Sequence, residues 1–216
     1  SAIFVVGTAG GMAEDVQLFD TMISRQTVYH DVADDILTEY PPWMPTSFFS
    51  ADAKLLALAE AYSQRSPFPI RFGTIATGEA FIADEGRAEI CQKFAPLCVD
   101  METASVAHVC HANGIPFLGV RSITDTATHQ GIENFERNCE RASERAAAVA
   151  MGILALLART VEVFQSKNRF LAIFACIAQR REQKLERMIG DAESCKFCGF
   201  AKGETAAAGN LASPPP

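Results

Sequence analysis

The stretch VDMETASVAHVCHANGIPFLGVRSITDTA, residues 99 to 127, decides how the chain is read. Asp100 and Glu102 open it, Arg121 and Asp125 close it, and the segment between them carries no Asp, Glu, Lys or Arg. Residues 101–112 have helical composition, with the small Ala104 and Ala107 on one face, and Asn113-Gly114 is a strong stop. IPFLGVRSI, 115–123, then reads as a buried strand. Acids at one end of such a unit and an Arg-acid pair at the other make sense when the fold returns both to one place.

Outward from this unit the alternation continues. Ala2 to Val6 is a continuous apolar run ended by GTAGG at 7–11, which predicts a strand buried on both faces followed by a tight turn. Residues 53–64 carry Leu55, Leu56, Leu58, Ala59 and Tyr62 at helical spacing, stopped by Pro67 and Pro69. IRFGTIATG at 70–78 reads as another buried strand, and 132–165 as one long Ala-rich helix with Glu and Arg on its polar face. Strand, helix and strand with short connections imply an α/β fold with a largely parallel sheet.

Composition narrows the function classes. A net charge of −7 and a pI near 5.1 argue against a nucleic-acid backbone as partner and favour a small neutral or cationic ligand. Seven scattered cysteines without framework spacing fit a reducing, cytoplasmic setting better than a disulfide scaffold. The apolar run FLAIFACIA at 170–178 is too short to span a bilayer, which takes roughly 20 residues. Because Ser1 already stands at the head of a core strand, the expectation is a chain truncated at its N-terminus. Past about residue 165 the character changes to an amphipathic stretch, a lone CKFC at 195–198 and a low-complexity end. That divides the chain into a domain over 1–165 and an appended helical, then disordered, tail over 166–216.

In a parallel α/β sheet, ligands gather outside the carboxyl ends of the strands. Three segments fall there, GTAGG, TGEAFI and RSITDTA, and VDMET joins them at the entry to a helix. A carboxylate such as Glu102 accepts two hydrogen bonds from a vicinal diol or draws a proton from water. Asp125, with its pKa raised by burial, hands a proton to a leaving group, and Arg121 orients Glu102 or stabilises a developing anion. Phe81 and Phe135 supply flat apolar faces on which a heterocyclic base stacks. Taken singly, each has a plainer role: Asp100 as a helix cap, Glu102 as a dipole-stabilising acid, Asp125 as a loop acid, the two Phe as core. His108, Cys110 and His111 lack a fourth ligand at zinc spacing, CKFC lacks a second pair, and His30 reads as structural, so no metal or cofactor is expected.

GTAGG, YHD, TGEAFI and the long METASVAHVCHANGIPF…RSITDTA segment with Phe135 beyond it resemble the bacterial-type 5′-methylthioadenosine/S-adenosylhomocysteine nucleosidases of the nucleoside phosphorylase superfamily, over roughly residues 2 to 160. The resemblance implies a phosphorylase/hydrolase-like fold, a three-layer αβα sandwich around a mixed, largely parallel central sheet, a homodimer, and hydrolysis of the N-glycosidic bond of a small purine nucleoside to release adenine. It further implies that Glu102 binds the ribose hydroxyls with Met101 beside the sugar, and that Asp125 protonates N7 of the leaving base. Thr124 stands where the family has Ser. Phe81 stacks on the purine while the Ile82 backbone reads its edge, Arg121 supports Glu102 and the water, Thr8, Ala9 and Gly10 line the sugar side, and Phe135 closes the pocket.

Two alternatives stand beside this reading: a phosphate-dependent nucleoside phosphorylase and a catalytically inactive nucleoside-binding or interaction module. Many phosphorylases of the superfamily carry an Arg three residues before the Thr/Ser of the glycine segment; Val5 occupies that place and cannot neutralise phosphate. The family also has an N-terminal portion with further strands and a water-activating Glu, for which this chain has no counterpart. Asp34 and Leu37 stand in the loop that in the family serves a neighbouring subunit's pocket.

Overall fold

A computed structural model of the chain describes residues 1–33, 35–40, 43–82, 86–128 and 132–163. All of them fall within one unit of the chain, Ser1–Ala178. The boundary expected at 165 and the tail expected over 166–216 lie outside the described residues.

The unit that opens the sequence argument forms as expected. β5 (Cys98–Asp100) leads into α3 (Thr103–Ala112), Asn113-Gly114 ends the helix with Gly114 at φ 62°, and β6 (Phe117–Asp125) follows, buried along its whole length. β6 runs parallel to β1 (Ile3–Gly11), from Ile3 opposite Phe117 to Gly10 opposite Asp125. The tight turn predicted at GTAGG is therefore corrected: those five residues continue the strand. The ladder shifts register after Ala9, the kind of irregularity that glycine marks in a strand, and a Cβ on Gly10 would sit 3.0 Å from Oδ2 of Asp125.

Three further strands complete the sheet: β2 (Thr21–Tyr29), the short β3 (Phe49–Ser50) and β4 (Ile70–Thr77). The order is β3-β2-β4-β5-β1-β6, and an added β2–β6 pairing closes β2, β4, β5, β1 and β6 into a ring. The long ladders β1–β6 and β2–β4 are parallel, as is β4–β5; β1–β5, β2–β3 and β2–β6 are antiparallel. A mixed sheet whose longest ladders are parallel is what the alternating pattern and the resemblance together implied.

Alternation along the strands builds the layers. Phe4 and Val6 of β1 and Leu118 and Val120 of β6 face one way, into a core with Leu55 and Ala59 of α1 (Ala53–Ser63) and Ala146, Val149, Ala150 and Ile153 of α4 (Ile132–Val163). Val5 and Phe117, one residue out of phase, face the other way, onto Ala107 and Cys110 of α3. α2 (Arg87–Phe94) packs Ile90 against Val28, Ala76 and Val99. Burying each of these aliphatic side chains stabilises the fold by about 1.5–3 kcal/mol before chain entropy is counted. Among the described residues no helix is long and apolar enough to cross a membrane.

Candidate active site

Asp100 ends β5 and is buried at 6 % exposure, so its carboxylate needs partners. It has five. Oδ1 accepts from the Thr77 hydroxyl at 2.6 Å and from the backbone N–H groups of Glu102 and Thr103 at 3.2 and 3.1 Å; Oδ2 accepts from the Thr103 hydroxyl and forms an ion pair with the Arg121 guanidinium, 2.8 Å from its Nε. The helix-capping role open to Asp100 in the sequence is thus realised, and with it a second one: the same carboxylate fixes Arg121.

Arg121 is 2 % exposed and spans the site. Nε also donates to the Thr103 hydroxyl at 2.9 Å, and Nη1 donates to the Thr8 carbonyl at 3.3 Å. Nη2 lies 3.3 Å from Oε2 of Glu102, close enough to attract it but not aligned as a hydrogen bond, so a buried guanidinium N–H is left unpartnered beside the carboxylate. Glu102 stands at the N-cap of α3 with its side chain about a quarter exposed. Burial pushes its carboxyl above the usual range; the Arg121 guanidinium pulls against that and Asp100 adds to it.

Asp125 ends β6 at 4 % exposure, and among the described residues its carboxylate has one hydrogen-bond partner, the Thr124 hydroxyl at 2.7 Å on Oδ1. Burial raises its pKa, with the Thr124 hydrogen bond and the Arg87 charge acting the other way. Arg87, at the start of α2, is anchored on the carbonyls of Gly11 and Met12. Thr124 Oγ1 also lies 3.3 Å from the Ala9 carbonyl. Thr8 and Ala9, consecutive on β1, therefore receive Arg121 from one side and Thr124 from the other, and join the Glu102 end of the site to the Asp125 end.

The loop after β4 supplies the aromatic side. Phe81 is 43 % exposed and meets Phe135 of α4 edge-on at 6.1 Å between ring centroids. The Ile82 side chain packs against Met12, Val28 and Ile90, and Met101 is 42 % exposed beside Glu102. The loop's entry is gripped from β2's end: Asp31 Oδ2 accepts the Glu79 N–H at 2.7 Å, and the His30 ring lies so close to Gly78 that a Cβ there would come within 2.2 Å of Nε2.

Sequence reasoning missed Thr77, Thr103, Arg87 and Asn138. Each acts on a partner distant in sequence or through a hydroxyl or amide common on any surface; only the Thr103 position, inside the matched METAS segment, carried a signal. His108, Cys110 and His111 do not converge: His108 stacks on Phe49 at 5.1 Å, His111 meets Phe49 edge-on, and Cys110 is buried. A separate surface cavity of about 270 Å³ lies near them at the start of β6, lined by Phe49, Cys110, His111 and Phe117. It holds none of the acids, and the site is located by its charges, not by that concavity.

Comparison with known proteins shows the family of the chain. The model of the phosphorylase superfamily matches residues 1–155. The 5′-methylthioadenosine/S-adenosylhomocysteine nucleosidase of Actinobacillus succinogenes is 40 % identical over 157 residues, covering 70 % of this chain and 67 % of the relative. Among solved structures, the Streptococcus pyogenes S-adenosylhomocysteine nucleosidase in complex with 5-methylthiotubericidin superposes with a TM-score of 0.63 at 27 % identity, covering 72 % of this chain and 67 % of that one. The Neisseria meningitidis nucleosidase in complex with methylthio-immucillin-A gives a TM-score of 0.63 at 26 % identity, over 71 % and 68 %. The match spans about two-thirds of each relative's length.

Proposed function

The chain belongs to the 5′-methylthioadenosine/S-adenosylhomocysteine nucleosidases of the phosphorylase superfamily, and from that membership we propose that it hydrolyses the N-glycosidic bond of 5′-methylthioadenosine or S-adenosylhomocysteine. The observation that carries the reading is a pair of unlike carboxyl groups joined through Thr8 and Ala9: Asp125, buried and sparsely bonded, and Glu102, facing a buried guanidinium.

Asp125 in its acid form donates a proton to N7 of the purine. The C1′–N9 bond breaks with its electron pair leaving on the base, and a cation-like ribosyl centre develops. Glu102 accepts hydrogen bonds from the ribose hydroxyls and, with Arg121, stabilises that charge. Water adds to C1′ and loses one proton to solvent, giving neutral adenine and the thioribose product; Asp125 recovers its proton from solvent. Phe81 and Phe135 stack against and close over the base, the Ile82 backbone reads its edge, and Met101, Thr8, Ala9, Gly10 and Thr124 line the sugar and base sides.

Water rather than phosphate is the nucleophile. Val5, the position where the phosphorylases carry Arg, is 1 % exposed and packed in the core with Phe49 and Phe117, which supports that choice. The chain works as a homodimer in the cytoplasm. Leu37 is buried, but Ile36, Tyr40 and Trp43 around it are 43 %, 56 % and 67 % exposed, an apolar surface that self-association would cover. Adenine release from methylthioadenosine, measured with and without phosphate on the chain and its Asp125→Asn variant, tests the reaction. Phosphate-independent release lost in the variant is the expected result; phosphate dependence would establish a phosphorylase, and tight nucleoside binding without turnover an inactive module.

A further inference from the structure

Asp125 is aimed by an irregularity in the sheet. Ala9 pairs with Ile123 and Gly10 with Asp125, so Thr124 is an extra residue in β6 with no partner across the ladder. A bulged residue leaves its peptide groups outside the ladder, and Thr124 is 1 % exposed, where an unpaired carbonyl would be costly. That carbonyl accepts a side-chain hydrogen bond: Asn138 Nδ2, in the second turn of α4 and itself 9 % exposed, donates to it at 2.8 Å.

One residue earlier the strand is already pinned. The Ile123 carbonyl accepts the Phe19 N–H at 2.9 Å, and the Ile123 N–H donates to the Asp20 carbonyl at 3.0 Å. Asn138 thus adds a side-chain hydrogen bond to the peptide between Thr124 and Asp125, alongside the Thr124 hydroxyl that reaches Ala9.

We propose that Asn138 is a positioning residue that sets the aim of the Asp125 carboxyl by holding the β6 bulge. The inference rests on the reading of Asp125 as the acid, but it can be tested apart from turnover. Without the amide, the Thr124–Asp125 peptide turns to find another donor, the carboxyl leaves its packed position against Gly10, and water reaches it. Asn138→Leu fills the same space without a donor, and Asn138→Ala empties it.

The test is the titration of the Asp125 carboxyl by NMR in the full chain carrying 13C-labelled aspartate, its signal assigned by its loss in Asp125→Asn, together with kcat and KM for adenine release. In the parent chain the carboxyl titrates above the ordinary aspartate range. In both Asn138 variants it moves down toward that range, and kcat falls roughly 10- to 100-fold with KM within about twofold. An unchanged titration in a folded variant, or a loss carried by KM, would overturn the proposal. So would failure of both variants to fold, since a positioning role leaves the fold standing. A parent chain that releases no adenine would refute the proposed reaction, while the titration would still decide the role of Asn138.

Discussion

Asp100 and Asp125 end two strands of one sheet, and both are almost wholly buried, at 6 % and 4 % exposure. Asp100 is surrounded by five partners, one of them a guanidinium, whereas among the described residues Asp125 has one hydroxyl. A carboxylate that is fully paired serves as structure. One that is buried and thinly paired is driven toward its acid form and has a proton to give. Burial alone does not separate a structural acid from a chemical one; the count of donors around it does.

Exchanging the two roles is the sharpest way to break this contrast. Asp125→Asn is expected to keep the fold and to lower the rate of adenine release by about 10²- to 10⁴-fold, the usual worth of a general acid, as read by steady-state kinetics. Asp100→Ala should do the reverse in kind. It strands the Arg121 charge and uncaps α3, so it should cost about 3–5 kcal/mol in denaturant unfolding, with any loss of activity following the loss of folded protein.

Gly10→Ala probes the clearance. A Cβ 3.0 Å from Asp125 Oδ2 forces the carboxyl to shift, and kcat should fall on the order of tenfold with little change in melting temperature. The smallest effect is on stability. Because burial raises the folded-state pKa of Asp125, its contribution is full while the carboxyl is protonated in both states and is lost as pH rises through the folded value. Asp125→Asn avoids that loss. Its stability relative to the parent should therefore rise with pH across the carboxylate range and level off near neutrality, as followed by denaturant melts from about pH 4 to about pH 7. A flat difference would mean that Asp125 is no more protonated in the folded chain than in the unfolded one.

The legibility of the fold follows the same division between local and distant causes. α3, its Asn-Gly stop and β6 were readable because propensity, stop signal and apolar run agree within one stretch of sequence. GTAGG was misread because glycine punctuates turns in most local contexts, and the reason for Gly10 is the side chain of Asp125, which lies far along the chain. β5, three residues long, and α2 carry weak periodic signals and owe their form to packing against β1 and β4. In the site, Glu102, Arg121 and Asp125 stood in the matched segment. Thr77, Arg87 and Asn138 could not be seen, since an ordinary Thr, a basic helix start and an Asn on a long polar-faced helix become specific only when β5, β1 and the β6 bulge are brought to them.

The ring formed by the β2–β6 pairing has a further consequence. Val120, Arg121 and Ser122 are bordered by β1 on one side and by Ile23, Met22 and Thr21 of β2 on the other, so this part of β6 has no open edge. Its amides should be among the last to exchange with deuterated solvent, at a rate set by global unfolding, while those of β3 and the loop after β4 exchange through local opening. Arg121 is thus built into a segment paired on both sides, whereas Phe81 stands half-exposed outside the ladders, a division that fixes the charges of the site within the sheet and leaves its aromatic side facing solvent.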